Sequence, residues 1–142
     1  MRNLLITCAV AFGFIACEKS AGEGGTSVIE GQVYKSFIWN DDQTGMSDTL
    51  YFEVDVGKDV FIIYSNNEEN VYDDKFETDH NGRYRFEFLR KGDYTIYTYA
   101  DSTEQITPVI NLKYPYPLYK KVTIFSNNST NKVDNFIVEK NQ

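Results

Sequence analysis

One histidine, His80, and two cysteines, Cys8 and Cys17, are the only imidazole and thiol groups in the chain. A single imidazole cannot build a histidine-pair zinc site or a facial triad. A Ser-His-Asp relay would have to use His80. That residue stands in the turn-forming set Asp79-His80-Asn81-Gly82, and no Gly-x-Ser-x-Gly elbow accompanies it. His80 therefore reads as a solvated turn residue, and no enzyme is expected. Carboxylates gather at Asp41-Asp42, Glu68-Glu69, Asp73-Asp74 and Asp79. Calcium needs roughly six to eight converging oxygens, and no segment has the EF-hand spacing. These acids read as solvated loops, the alternative being loops that converge at one end of the fold. No cofactor or metal is expected. What remains is the chemistry of flat rings. Trp39, Tyr114, Tyr116 and Tyr119 are the candidate ligand-binding residues. If exposed, they offer faces to a sugar or to a partner's apolar patch. If buried, Trp39 joins the core and the tyrosines cap one end of it.

The elements that must position these groups read as strands. At 142 residues one domain is expected, and Tyr 11 and Phe 10 favour sheet. In residues 83–88, Tyr84, Phe86 and Phe88 alternate with Arg83, Arg85 and Glu87, the period of a strand with one dry face. Asp-His-Asn-Gly precedes this run and Arg90-Lys91-Gly92-Asp93 follows it, so the segment with Tyr94, Ile96 and Tyr97 is expected to form a hairpin. Val28 to Trp39 is the expected first strand, and Phe37–Trp39 with Thr49–Val54 an added hairpin. Val60 to Tyr64, apolar on both faces, is expected at the centre of a sheet. Val71 to Thr78 is a more polar strand with Phe76 turned inward. Residues 100–118 hold all three prolines, Pro108, Pro115 and Pro117, so Tyr114–Pro117 is expected as loop, bulge or edge. Lys120–Phe125 and Val133–Val138 are the expected last strands.

The pattern Thr-Asp-x-x-Gly-x-Tyr-x-Phe-x-x-Leu-x-x-Gly-x-Tyr-Thr-Ile over residues 78–96 resembles the signature of carboxypeptidase regulatory-like domains. Those are grouped with the collagen-adhesin B-type and transthyretin-like sandwiches. Gly31-Gln32-Val33 and the closing Val133-Asp134-Asn135-Phe136-Ile137-Val138 resemble that family's first and last strands. The resemblance implies an all-β, antiparallel, prealbumin-like sandwich of seven to nine strands, with Tyr94 as a corner tyrosine. The chain departs from the family at Arg90-Lys91, where Pro-Pro is usual, and in the two added stretches. Transthyretin-like hydrolases use several histidines and a C-terminal Tyr-Arg-Gly-Ser. This chain has neither.

The N-terminus supplies an address. Met1-Arg2-Asn3 precedes an apolar run from Leu4 to Ala16, shorter than the roughly 20 residues that span a bilayer and suited to a signal peptide. Phe14-Ile15-Ala16-Cys17 resembles a bacterial lipobox, which implies cleavage before Cys17 and acylation of its sulfur. The alternative is an ordinary signal peptide with an incidental cysteine. Each buried CH₂ contributes about 0.8 kcal/mol, so several acyl chains hold firmly. The expected organisation is a leader at 1–16, lipidated Cys17 with a flexible tether at 17–27, and the sandwich at 28–142. Without its leader the chain carries 13 basic and 21 acidic side chains, a net charge of −8, which disfavours nucleic acid as a partner. The expected role is a lipid-anchored module of the cell envelope, at the outer membrane, with a protein-interaction or structural role. The alternative is a glycan-binding accessory lipoprotein for polysaccharide uptake, and a hydrolase comes third.

Overall fold

Alternation organises the molecule into two sheets whose apolar faces meet. The computed structural model describes residues 20–41, 44, 46–107 and 110–141, with only the backbone course at 38–41, 46–50, 102–107, 110–113 and 139–141. The strands are β1 (Glu23–Asp41), β2 (Met46–Val54), β3 (Asp59–Ile63), β4 (Asp74–Glu77), β5 (Arg83–Leu89), β6 (Gly92–Thr107), β7 (Ile110–Ile124), β8 (Thr130–Lys132) and β9 (Phe136–Asn141). The long β1 is the spine of the first sheet. Its first half is flanked by antiparallel β5 and parallel β8, its second by antiparallel β2 and parallel β9. The second sheet runs β4-β3-β6-β7, antiparallel throughout. The expected all-β sandwich is thus what the chain forms. Between the sheets lie Ile29 and Val33, Val60 and Ile62, Tyr84, Phe86 and Leu89, Tyr94 and Ile96, Ile124, Phe136 and Val138, all buried. Lys120, on the core side of the edge strand β7, places its ammonium over the Phe136 ring at 5.3 Å.

Gly31 is opposite Tyr84 in the β1–β5 ladder, and a Cβ there would lie 2.3 Å from the Tyr84 hydroxyl. A side chain at 31 and a tyrosine at 84 exclude each other.

The hairpin expected across residues 83–97 does not form. β5 pairs with β1 and β6 with β3 and β7, so Arg90-Lys91 carries the chain from one sheet to the other. The reason begins at Phe88. Between the pairs Phe86–Ile29 and Leu89–Ser27 the strand β5 holds one residue more than β1, a bulge with Phe88 at φ 58°. The extra residue reverses the alternation, so Leu89 is buried and Phe88, expected inside, is 68% exposed. Past the crossing, Tyr94 is buried and its hydroxyl donates to the Arg90 carbonyl at 2.7 Å, four residues back. It also accepts from the Gly22 amide at 2.9 Å. Tyr94 is therefore a corner tyrosine, and the corner it holds joins two sheets.

One other expectation is corrected, and the choice left open at Tyr114–Pro117 is resolved. β1 begins at Glu23 and not Val28, so residues 23–27 of the expected tether are strand, and Gly22 is tied to the body through Tyr94 and the Arg90 amide. Of the three expected outcomes for Tyr114–Pro117, loop, bulge or edge, the edge is the one found. β6 and β7 run on as a ladder from Gly92–Ile124 to Thr107–Ile110, with Pro115 opposite Asp101 and Pro117 opposite Tyr99. Both prolines fit because β7 is an edge strand. They stand at the same parity, so both ring nitrogens can face away from β6 without costing a ladder bond.

Candidate binding face

The parity that sends Tyr94, Ile96 and Ala100 into the core sends Thr95, Tyr97 and Tyr99 to the opposite face of β6. On β3 the same rule puts Phe61 and Ile63 there. Phe61 lies opposite Tyr97, and Tyr97 opposite Tyr119 of β7, so three rings form a row across the sheet. The Phe61 and Tyr97 rings stack, with centroids 4.9 Å apart and planes at 18°. Tyr97 meets Tyr119 at 5.2 Å and Tyr99 edge-on at 5.7 Å. Tyr72, from the segment before β4, closes on Phe61 at 4.9 Å, and Tyr99 meets Phe61 at 5.8 Å. All five separations lie in the range where ring pairs attract. Tyr97 at the centre is buried, whereas Tyr72, Tyr99 and Tyr119 are 46%, 39% and 37% exposed. The result is a continuous aromatic floor with an accessible rim.

One side of this floor is bounded by the segment 64–73. The Thr95 hydroxyl donates to the Ser65 carbonyl at 2.8 Å, and the Tyr64 amide to the Asp73 carboxylate at 2.6 Å. Lys121 pairs with Glu68 at 3.0 Å, and the Tyr119 hydroxyl reaches the Glu68 carbonyl at 3.4 Å. Within the segment Ser65, Asn67 and Asn70 bond one another, which fixes its course. Burial, then the neighbouring Tyr99 and Tyr119 hydroxyls, push the Tyr97 phenol up to about 12. The Tyr119 phenol is also raised, by burial, Tyr99 and Glu68. Both hydroxyls are therefore neutral donors and acceptors near neutral pH.

Of the rings singled out in the sequence, Tyr119 belongs to this floor. Tyr116 is on the other side of β7 and packs against the core, and Tyr114 shares its parity but is 42% exposed. Cys17 and the Trp39 side chain lie outside the described residues. Phe61, Tyr72, Tyr97 and Tyr99 were missed. The signal for Tyr97 and Tyr99 was present in Tyr94-Thr95-Ile96-Tyr97-Thr98-Tyr99, where odd positions alternate with buried even ones. His80 is exposed in its turn, 2.9 Å from the Asn81 side-chain amide. Among the described residues no His, Cys, Asp and Glu side chains are grouped as metal ligands.

A cleft of about 610 Å³ opens elsewhere, beside Gly31, Gln32, Asp79, Arg83 and Tyr84. Its polar walls are self-satisfied at Arg85, which bridges Glu30 and Glu87. The Tyr84 hydroxyl, buried under Gly31, has no hydrogen-bond partner among the described residues, and burial raises its pKa.

No protein-family profile matches the chain, and no curated protein matches it. Among solved structures it is similar to a Pseudomonas aeruginosa protein described as a candidate carbohydrate binding protein. The two are 17% identical, over 84% of this chain and 92% of that one, with a TM-score of 0.49. At that score the likeness carries no argument about this chain.

Proposed function

We propose that the chain is a non-catalytic binding module of the bacterial cell envelope, held at the outer membrane by lipid on Cys17. It meets a protein partner on the outer face of β3, β6 and β7. The observation that carries this reading is the contiguous set Phe61, Tyr72, Tyr97, Tyr99 and Tyr119, four of them on strands, with Tyr72, Tyr99 and Tyr119 exposed around the buried Tyr97. Aromatic rings with polar tips are the groups most enriched at protein interfaces. The edges of the same sheet are poor templates for strand addition. β7 carries Pro115 and Pro117, and β4 is four residues long and mostly charged. The partner therefore uses the face, and Glu69 and Asp73 on the bounding segment favour a partner with a basic rim. Crosslinking in intact cells followed by pull-down should recover one envelope protein, with recovery at least about tenfold lower for Tyr99→Ser/Tyr119→Ser. Recovery of the monomer alone, or equal recovery from both proteins, would sink the reading.

A second reading, a glycan-binding accessory lipoprotein, has support of its own. The exposed rings of Tyr72, Tyr99 and Tyr119 offer faces to sugar C–H groups, and the neutral hydroxyl of Tyr119 can bond to sugar hydroxyls. Retardation in affinity gels containing neutral polysaccharides, abolished in Tyr99→Ser/Tyr119→Ser, would favour it over the protein partner. Unchanged migration with every glycan would remove it.

A further inference from the structure

We propose that the sandwich end built from the β5–β6 crossing and the β7–β8 turn rests on the bilayer and inserts Phe88 and Phe125 into it. The inference rests on the reading that Cys17 carries the lipid. Three residues separate Cys17 from Ala21, and the four steps between them, fully extended, span at most about 14 Å. Ala21 touches Gly92, and a Cβ on Gly92 would lie 2.8 Å from the Ala21 Cβ. Gly22 is bonded to Tyr94 and Arg90. An anchor at Cys17 therefore holds this end of the body at the headgroups and leaves it little room to swing away.

That same end exposes the most accessible phenylalanines among the described residues. Phe125 is 82% and Phe88 is 68% exposed. They flank the same end of the sandwich, one on each sheet: buried Leu89 pairs with buried Ser27, and the Ser27 hydroxyl donates to the Ser126 carbonyl at 2.9 Å. Phe88 is presented by a backbone with φ 58°, a conformation that a bulky side chain rarely adopts. Lys91 is exposed between them in sequence, on the crossing itself. The charges around this end are mixed, with Arg90 and Lys91 against Glu23 and Asp93. Contact is thus driven by the rings and not by anionic lipid. At about 3.4 Å per residue along β6, Tyr97 and Tyr99 then stand roughly 17 and 24 Å beyond Gly92, which leaves the aromatic floor clear of the lipid.

The test uses the mature, acylated chain in vesicles of phosphatidylethanolamine and phosphatidylglycerol, with one added cysteine carrying a nitroxide. Asn127→Cys reports on the proposed contact and Val56→Cys on the opposite end. The expected result is a several-fold loss of access to a water-soluble relaxant at 127 on vesicle binding, with 56 unchanged. Phe88→Gly/Phe125→Ser should restore access at 127 while the protein still floats with the vesicles, and lowering the phosphatidylglycerol share should change neither result. A protein that floats but keeps position 127 as accessible as in water overturns the proposal and leaves the lipid anchor standing. A protein that carries no acyl group and does not float overturns the anchor and the proposal with it.

Discussion

Gly31 and Tyr84 decide whether the first sheet can close over its core. Gly31→Ala forces a methyl against the Tyr84 ring, and overpacking of that kind costs about 1–3 kcal/mol in chemical unfolding. Tyr84→Phe removes a buried hydroxyl that has no partner among the described residues, so it should be neutral or stabilising by up to about 1 kcal/mol. The pair Gly31→Ala/Tyr84→Phe should recover part of the loss, because the hydroxyl oxygen is the atom nearest the added methyl. Asp79 sets a pH dependence. Amides of Arg83 and Asn81 donate to its carboxylate and, with His80 and Arg83 nearby, hold its pKa below the ordinary carboxylate range, against a smaller opposing effect of desolvation. A depressed folded-state pKa gives stability that is present above the ordinary carboxylate pKa of about 4 and is lost as pH falls through the folded value. Thermal melts of Asp79→Asn should therefore be lower than the parent's at neutral pH and less sensitive to acidification.

The strands themselves were legible because their residues alternate, and the links between them were not. In residues 83–97 the alternation as far as Phe86 and both turns were read correctly, yet Phe88 and the pairing partner were wrong. A hairpin and an inter-sheet crossing share turn residues, and what separates them is a single bulge that reverses parity at Phe88. Corner tyrosine Tyr94 was legible from its place after Gly92, and its bonds to Arg90 and Gly22 are the physical sign of a crossing. Tyr94→Phe should cost about 1–2 kcal/mol, since two backbone groups lose their partner. The prolines left loop, bulge and edge open for Tyr114–Pro117, and edge is the outcome: an edge strand takes proline wherever the nitrogen faces outward, so β7 continues through Pro115 and Pro117. Their consequence is protective. Pro115→Val/Pro117→Val would expose an unbroken edge and should raise self-association in light scattering, with little change in the melting temperature of the monomer. As for the binding face, Tyr119 was found from sequence, but Phe61 and Tyr72 were not. Only the register of β3 on β6, and the return of the segment before β4, bring those two rings together.

On the scale of the whole molecule, the two sheets divide the work. The first, built on β1, carries the chain in from the end where Gly22 is tied to Tyr94 and Arg90, and the second presents tyrosines on its outer face. The central claim is that the outer face of the second sheet is covered by a partner in the cell. Hydroxyl-radical footprinting of intact cells against the purified protein tests it most directly, with Tyr51, half exposed on the first sheet, as the internal reference. Tyr99 and Tyr119 should be oxidised several-fold less than Tyr51 in cells and should regain parity once the protein is purified. Equal oxidation of the three residues in both settings would contradict the claim.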